Sequence, residues 1–278
     1  MILSTGNSMA DPLDRQRPAT VGGTGQPTLM FDGVSHAFGE VQVLDQINLT
    51  VEHGSFVALV GPSGCGKTTL LNLAAGLALP DTGAVYYQGR QILEPNTRAG
   101  YLTQDDALLP WRDVVGNVAL PLEIKGIGRA ARFASAREII KKVGLHRFEH
   151  HRPSQLSGGM RKRVSLARTL IYKPETLLLD EPFGALDAQT RMLMQKQLLD
   201  LCREFQLTVI LVTHDIGEAI ALADRIVVLS ARPARVIEII DVPHPEEGNV
   251  FRRERGNEEL YLRIWDQLAA QAADTGST

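Results

Sequence analysis

The chain lacks the features that would assign it to several specialised classes of protein. Its only cysteines are Cys65 and Cys202, so a disulfide framework is excluded and a reducing compartment is expected. A redox pair between them stays open, but two free thiols are the simpler interpretation. The formal net charge is −3, which gives no global basic field of the kind that duplex nucleic acid attracts. Nucleic acid is therefore not expected as a partner.

Long hydrophobic runs are also missing. Apolar runs such as 57–60 and 209–212 have the length of strands, whereas a membrane-spanning helix needs roughly 20 apolar residues. The amino-terminal residues lack the basic and then apolar pattern of a secretion signal. Because 44% of the residues are hydrophobic, a real core is available. We expect a protein that is soluble by itself and located in the cytoplasm.

Hydrophobic periodicity predicts an α/β core with a helical insertion. Alternating apolar residues over 28–52 are typical of antiparallel strands, and 67–75 has the spacing of a helix. Strand signals nearly vanish over 113–173, where 130–143 and 160–171 have helical spacing, and this stretch is interpreted as an inserted helical subdomain. Buried strands are predicted at 55–60, 99–103, 176–179, 208–213 and 225–229, with a helix over 188–204.

The two ends of the chain are predicted to lie outside this domain, which is expected to span 28–244. Residues 1–27 have no apolar period that could bury a face, so they are interpreted as a disordered tail. The carboxyl-terminal tail, 245–278, contains an amphipathic helix near 258–270. Docking on the core is the simplest role for this helix, and partner binding is the alternative. Its apolar stripe consists of Leu260, Ile264, Trp265 and Leu268.

A glycine-rich loop between a buried strand and a helix predicts a phosphate site. Glycine allows successive backbone N–H groups to point at phosphate oxygens, with the positive end of the following helix behind them. Lys67 supplies a charge for the β and γ phosphates, and the Thr68 hydroxyl is placed to ligate Mg²⁺. The phosphate loop and the first helical turn comprise Gly61, Pro62, Ser63, Gly64, Cys65, Gly66, Lys67, Thr68 and Thr69.

Two later segments make the pattern more specific. Residues 177–181 read Leu-Leu-Leu-Asp-Glu, and residues 156–160, here called the signature segment, read Leu-Ser-Gly-Gly-Met. In this order the three elements resemble the nucleotide-binding subunit of the ABC transporter family over about 28–242. The resemblance implies a P-loop NTPase fold of the ABC type, with a mixed sheet, an antiparallel β subdomain and the inserted helical subdomain. It also implies ATP and Mg²⁺ as cofactors.

The resemblance assigns roles residue by residue. It makes Asp180 a magnesium ligand and Glu181 the catalytic carboxylate that polarises the attacking water. Gln104 matches the glutamine that touches magnesium, and His214 matches the histidine that holds the γ phosphate and the water. A surface glutamate and a core histidine are the alternatives for Glu181 and His214.

Further positions match the family outside the phosphate loop. Asp187 matches the loop that crosses the interface of the dimer. Phe38 matches the aromatic residue on which adenine stacks, with a core phenylalanine as the alternative. Two departures from the family pattern are Met160, where many relatives have glutamine, and Thr176, where an apolar residue is usual.

The signature segment requires a second copy of the chain. Ser157 is placed to cap the helix that starts near Met160, and Gly158 and Gly159 leave bare amides for phosphate. One chain has only one phosphate loop, so its signature segment has no second nucleotide to contact. A head-to-tail dimer with two buried ATP molecules is therefore expected. The basic run 161–163 is interpreted as a solvated helix face, with steering of phosphate as the alternative.

Two segments refine the resemblance to a branch of the family. Residues 108–118 and 227–233 are similar to those of nitrate, sulfonate and taurine importers. This implies transmembrane permease subunits, a periplasmic binding protein and a peripheral location on the cytoplasmic face of the inner membrane. Trp111 and Arg112 lie where the family receives a helix of the permease, although Trp111 could equally pack in the core. An exporter or lipid-trafficking ATPase, and a soluble ABC ATPase of translation or DNA repair, stay open as alternatives.

Overall fold

The computed structural model of the chain describes residues 26–184, 186–243 and 257–275. The predicted amino-terminal tail, apart from residues 26 and 27, lies outside the described residues. The same is true of residues 245–256 and 276–278 in the predicted carboxyl-terminal tail.

One of the two sheets is small and antiparallel. Its strand order is β2-β1-β4-β5, and β1 pairs with both β2 and β4. Register shifts in β1 mark bulges, which bend and twist the strand. The antiparallel strands predicted over 28–52 are present, followed by a pair that the periodicity did not reveal. The strands are β1 (Leu29–Phe38), β2 (Val41–Val51), β4 (Thr82–Tyr87) and β5 (Arg90–Gln91).

The second sheet has six strands in the order β10-β9-β3-β8-β7-β6. Five are parallel, and β10 runs antiparallel at one edge. Strands β3, β7 and β8 are buried at every position, as expected for a parallel sheet covered on both faces. The strands are β3 (Phe56–Val60), β6 (Ala99–Leu102), β7 (Thr176–Asp180), β8 (Thr208–Thr213), β9 (Arg225–Leu229) and β10 (Val236–Asp241).

Helices cover the six-stranded sheet and fill the segment 113–173. That segment contains α2, α3, a short 3-10 turn at Pro153–Gln155 and α4, and the structure shows no strand within it. The helices are α1 (Lys67–Ala74), α2 (Val114–Ile124), α3 (Arg129–Lys142), α4 (Gly158–Leu170), α5 (Ala188–Phe205), α6 (Ile216–Leu222) and α7 (Glu258–Thr275).

Two hydrophobic clusters lie on opposite faces of the large sheet. In β3, Val57 and Leu59 belong to the cluster shared with the small sheet and α1, whereas Phe56, Ala58 and Val60 belong to the cluster shared with the other helices. The mixed α/β P-loop fold predicted from the sequence is confirmed.

Helix α7 docks on the second of these clusters, but not with the whole predicted stripe. Ile264 is fully buried, and Leu260 and Leu268 pack against the cluster. Trp265 was predicted to belong to this stripe. It is 54% exposed, so that part of the prediction is wrong. Trp265 follows Ile264 by one residue, so its side chain points about 100° away from that of Ile264 around the helix axis. The two side chains therefore cannot both face the core.

The parallel sheet fixes the location of the candidate site. The phosphate loop follows β3, Asp180 ends β7, His214 follows β8 and Gln104 lies two residues beyond β6. Because these strands are parallel neighbours, their carboxyl ends lie side by side at the same end of the sheet. Ligands bind just beyond the carboxyl ends of the strands in open α/β folds.

Candidate active site

The phosphate loop depends on glycine at its last turn. Gly66 precedes α1 with φ 121°, a conformation that L side chains rarely adopt. A Cβ atom at Gly66 would lie 2.8 Å from side-chain atoms of both Leu44 and Val43. The small sheet therefore packs directly against the loop, and only a residue without a Cβ atom fits at position 66.

Lys67 is held at the loop. Its side chain is buried, and Nζ donates to the carbonyl oxygens of Gly61 at 2.8 Å and of Pro62 at 2.9 Å. The ammonium group therefore lies against the loop backbone, beside the amino terminus of α1. Both features favour an anion at this point.

Thr68 and Asp180 form the oxygen pair expected of a magnesium site. The Thr68 hydroxyl donates to Asp180 Oδ1 at 3.2 Å. Burial raises the pKa of Asp180 and the charge of Glu181 adds to this, whereas the hydrogen bond from Thr68 and the charge of Lys67 lower it. Hard oxygen donors suit Mg²⁺, so these residues fit the ion. Gln104 does not touch this pair directly, since its amide faces Glu181.

Glu181 lies between the side chains of Gln104 and His214. Its Oε2 is 3.2 Å from His214 Nδ1 and 3.5 Å from Gln104 Nε2. The Glu181 backbone has φ 43°, a strained conformation for a non-glycine residue that is frequent at functional sites, and its amide donates to Val212 O at 2.9 Å. The structure thus brings three of the predicted residues together at the end of the sheet. The His214 side chain is 58% exposed, so it is not a core histidine.

A cavity of about 460 Å³ joins the phosphate loop to Phe38. Phe38 is 60% exposed and makes an edge contact with His36, at 4.9 Å between ring centroids. The alternative of a core phenylalanine is therefore wrong. An exposed aromatic face beside a phosphate site is suited to stacking on a base. The lining comprises Phe38, Val41, Val43, Ser63, Gly64, Gly66, Lys67, Thr68, Thr69, Glu181 and Arg232.

Arg232 is a lining residue that the sequence analysis did not assign to the site. It lies between β9 and β10, and its Nε and Nη2 both donate to Gly64 O, at 3.2 and 2.5 Å. It lies within the segment 227–233, but its contact with the phosphate loop could not be predicted because 168 residues separate the two partners.

The signature segment lies elsewhere on the chain. Ser157 caps α4, and its hydroxyl accepts from Met160 N at 3.3 Å. The helix begins at Gly158 rather than near Met160, so both glycines belong to its first turn. None of Ser157, Gly158, Gly159 and Asp187 lines the cavity. One copy of the chain therefore brings together the phosphate loop and its catalytic candidates, but not the signature segment or Asp187.

In the basic run after the signature segment, Lys162 is not on a solvated helix face. Lys162 is only 5% exposed and contacts Gln104 O and Asp106 Oδ1. Arg161 Nε donates to Asp106 Oδ2 at 3.2 Å. The interpretation of 161–163 as a solvated face is thus wrong for Lys162. The reason is tertiary: the segment after Gln104 packs along α4, and its carboxylate and carbonyl oxygens need cations.

A polar network supports the segment that carries His214. Arg191 donates to Leu186 O at 3.2 Å and to Asp215 Oδ2 at 3.1 Å, and so links the residue before Asp187 to the residue after His214. The Thr213 hydroxyl donates to buried Glu218 and accepts from Asp215 N at 3.1 Å. The network extends from α5 to α6.

Glu218 is buried beneath this segment. Burial raises its pKa to about 7, Asp215 adds to the shift, and Thr213, Arg191 and Gln195 oppose it. Neither Arg191 nor Glu218 could be identified from the sequence, because Arg191 bonds to Asp215 across 24 residues and the burial of Glu218 depends on how α6 packs.

Asp187 is held at the start of α5. Its carboxylate accepts from Thr190 N at 3.0 Å, and this hydrogen bond lowers its pKa. It therefore caps the helix, which fixes the backbone of the adjacent loop.

Two further predictions bear on surface and thiol chemistry. Trp111 is 70% exposed, so the alternative of core packing is wrong. It borders a groove rich in arginine, and Arg112 pairs with Glu123 at 2.8 Å. Cys65 and Cys202 are both free and buried, as the simpler interpretation predicted. Burial raises the pKa of Cys65, and raises that of Cys202 to about 12.

The helices that the structure describes include none with the length and apolarity needed to cross a bilayer. The described residues also contain no cluster of three or more His, Cys, Asp or Glu side chains suited to a metal ion. A magnesium ion at Thr68 and Asp180 would thus need further ligands that are not protein carboxylates. Phosphate oxygens of a bound nucleotide are the usual source of such ligands.

Comparison with known proteins gives consistent matches. The family model described as ABC transporter matches residues 44–184. The taurine import ATP-binding protein of Yersinia pestis is 42% identical over 84% of this chain and 94% of its own length. A bicarbonate transport ATP-binding protein of Synechocystis is 46% identical over 75% of this chain, which spans only 32% of that longer protein.

Solved structures agree with these matches. An ATP-binding cassette determined as a dimer in a post-hydrolysis state, bound to ADP and Pi, superposes with a TM-score of 0.69. It is 32% identical and covers 78% of this chain and all of the other.

Proposed function

This chain belongs to the ABC transporter family, and from that premise we propose that it is the ATP-hydrolysing subunit of an importer, driving uptake of a small anion through a separate permease. Its phosphate loop and its fold, which is that of a cassette bound to ADP and Pi, make it an ATPase.

The observation that carries the proposal is the position of Glu181. Its carboxylate lies beside His214 and Gln104, and Glu181 also borders the cavity that contains Lys67 and Thr68. A carboxylate at the open end of a phosphate site can accept a hydrogen bond from an attacking water. Lys67 and the loop amides bind the phosphates, and His214 orients the terminal one. Thr68 and Asp180 would hold Mg²⁺, which supplies charge neutralisation on the β and γ phosphates. Gln104 would join them as a ligand only after its amide turns away from Glu181.

Two copies of the chain would complete two sites. The signature segment and Asp187 lie outside the cavity of their own chain, so a head-to-tail partner would bring them to it. Moving such an equilibrium from 1:99 to 99:1 takes about 5.5 kcal/mol, or roughly 2.7 kcal/mol for each site. Two charge-assisted hydrogen bonds for each ATP, at about 1.5–3 kcal/mol each, are sufficient. ATP binding would close the dimer, and hydrolysis would reopen it.

The taurine and bicarbonate relatives support the importer branch and an anionic substrate. We propose a nitrate-, sulfonate- or taurine-like anion, delivered by a periplasmic binding protein to the permease. The chain would bind the cytoplasmic face of the inner membrane through the permease, with exposed Trp111 in the contact.

Glu181→Gln tests the catalytic assignment. The change keeps the shape of the side chain but removes the charge that orients water. We expect ATP hydrolysis to fall at least 100-fold while Mg-ATP affinity stays within about threefold, measured by phosphate release and by displacement of a fluorescent ATP analogue. Unchanged hydrolysis would contradict the role of Glu181.

Co-purification from native membrane tests the transport assignment. A tagged chain is expected to recover a permease whose uptake of the anion depends on ATP. Recovery of an exporter, or of ribosomes or DNA without any membrane protein, would instead favour the alternatives.

A further inference from the structure

We propose that Arg232 is a second phosphate-binding cation of the ATP site, acting beside Lys67 on the nucleotide's phosphate chain. The inference rests on the proposed ATP-binding function. Arg232 lies in the connection between β9 and β10, outside both the phosphate loop and the signature segment.

The guanidinium group lies at the tip of the phosphate loop. Nε and Nη2 both contact Gly64 O, and a Cβ atom added at Gly64 would lie 3.3 Å from Nη2. Lys67 holds the carbonyls of Gly61 and Pro62 in the first part of the same loop. The two cations therefore flank the loop, one contacting its start and the other its tip.

The backbone that carries Arg232 is fixed to the small sheet. Asp45 N donates to Ala234 O at 2.9 Å, and Ala234 N donates to Val43 O at 2.8 Å. Arg235 adds an ion pair with Asp45. Val43 also lines the cavity and borders Gly66. These backbone hydrogen bonds therefore hold the segment that carries Arg232 in place beside the site.

The charges of the side chains that line the cavity favour an anion as the partner of Arg232. Among the residues lining the cavity, the charged ones are Lys67, Arg232 and Glu181, so Arg232 changes the net charge of the lining from zero to positive. Within the described parts of the chain, no carboxylate lies within ion-pair distance of Arg232, whereas Arg225 and Arg235 each have one. A backbone carbonyl is a neutral partner, and phosphate oxygens bind guanidinium more strongly.

The charge of Arg232 already acts on the loop. The charges of Lys67 and Arg232 both lower the pKa of Cys65, although its burial outweighs them. A phosphate group bound within the loop would experience the same two fields.

The test measures Mg-ATP and tripolyphosphate binding to the full chain, by displacement of a fluorescent ATP analogue. Arg232→Ala is expected to weaken both ligands about tenfold. Arg232→Lys keeps the charge and should stay within about threefold of the wild type. Arg232→Gln keeps a donor for Gly64 O without the charge, and should resemble the alanine variant. Arg225→Ala, in the same hairpin but paired with exposed Asp241, is the matched control and should bind as the wild type does.

Several results would overturn the inference. Arg232→Gln binding as tightly as Arg232→Lys would show that the side chain only clamps the loop. Weakened ATP with unchanged tripolyphosphate would place the contact on the nucleoside, and wild-type binding by Arg232→Ala would exclude a role. Thermal unfolding of each variant, and the comparison of lysine with glutamine, separate these results from misfolding. Failure of the wild-type chain to bind ATP would instead count against the proposed function.

Discussion

At the level of single residues, the site combines charge with a strained backbone. Glu181 adopts φ 43° while its amide is bonded to β8 and its carboxylate faces His214. Strain of this kind persists when the surroundings over-determine the conformation. Here the surroundings are the paired strands β7 and β8, together with the Thr213–Asp215 segment that Arg191 and Glu218 support.

Glu218 predicts a pH dependence of stability. Its folded pKa of about 7 lies above its ordinary value of 4.5, so the folded state binds this proton more tightly than the unfolded state does. Its contribution to stability is therefore full below pH 4.5 and is lost as the pH rises to about 7. Glu218→Gln removes the ionisable group. The free energy of unfolding of this variant, measured relative to the wild type, should therefore be about 1–3 kcal/mol higher at pH 8 than at pH 5.

Urea unfolding of both proteins at the two pH values checks this prediction. Thr213→Val serves as the control, because it removes the hydrogen bond to Glu218 but leaves the carboxyl to titrate. An equal pH dependence in the wild type and in Glu218→Gln would exclude Glu218 as the titrating group.

The sequence identified residues whose role is tied to a motif, but not those that act through tertiary contacts. The phosphate loop, Asp180 and Glu181 could be located because each follows a buried strand. The places of Arg232, Arg191 and Glu218 could not be predicted, because their burial and their long-range contacts depend on how separate elements pack. The same limit explains why Lys162 was misjudged.

At the level of elements, α4 and α5 meet at a glycine. A Cβ atom at Gly159 would lie 2.5 Å from Thr190 Cγ2, and threonine is stiff at χ1, so it cannot move aside cheaply. Gly158, one residue earlier, has only the end of the Arg161 side chain nearby, at 3.8 Å. The first turn of α4 therefore has one face pressed against α5 and one face open.

Gly159→Ala should lower the melting temperature by about 3 °C or more, because overpacking at a stiff contact costs about 1–3 kcal/mol. Gly158→Ala should leave the melting temperature within about 1 °C. Differential scanning calorimetry of the two variants makes the comparison. Equal melting temperatures would mean that α4 and α5 are not in close contact.

Most elements with a clear apolar pattern were predicted, whereas several short or atypical ones were not. The buried parallel strands and α5 were located because their patterns are long or continuous. Helix α2 has a proline inside it and is buried on most faces, so its apolar residues form no clear stripe. Helix α6 has only seven residues, and β5 only two, too few for a period to be detected.

At the level of the whole molecule, the arrangement fits the proposed head-to-tail dimer. The phosphate loop, Glu181 and His214 lie together, while Ser157 and Asp187 do not line the cavity of their own chain. In such an assembly each ATP would be bound by the loop of one chain and the capped amino terminus of α4 of the other. The fold and the need for a second copy could both be predicted from the motifs, whereas a cavity-lining residue outside them, Arg232, could not.

The most direct test of this account is the mass of the Glu181→Gln chain, measured by light scattering after gel filtration with and without Mg-ATP. The account predicts a species of twice the 30.4 kDa chain mass with Mg-ATP, and the single chain without it. Adding Lys67→Ala should abolish the larger species. A strictly monomeric Glu181→Gln chain in saturating Mg-ATP, even with its permease present, would contradict the account.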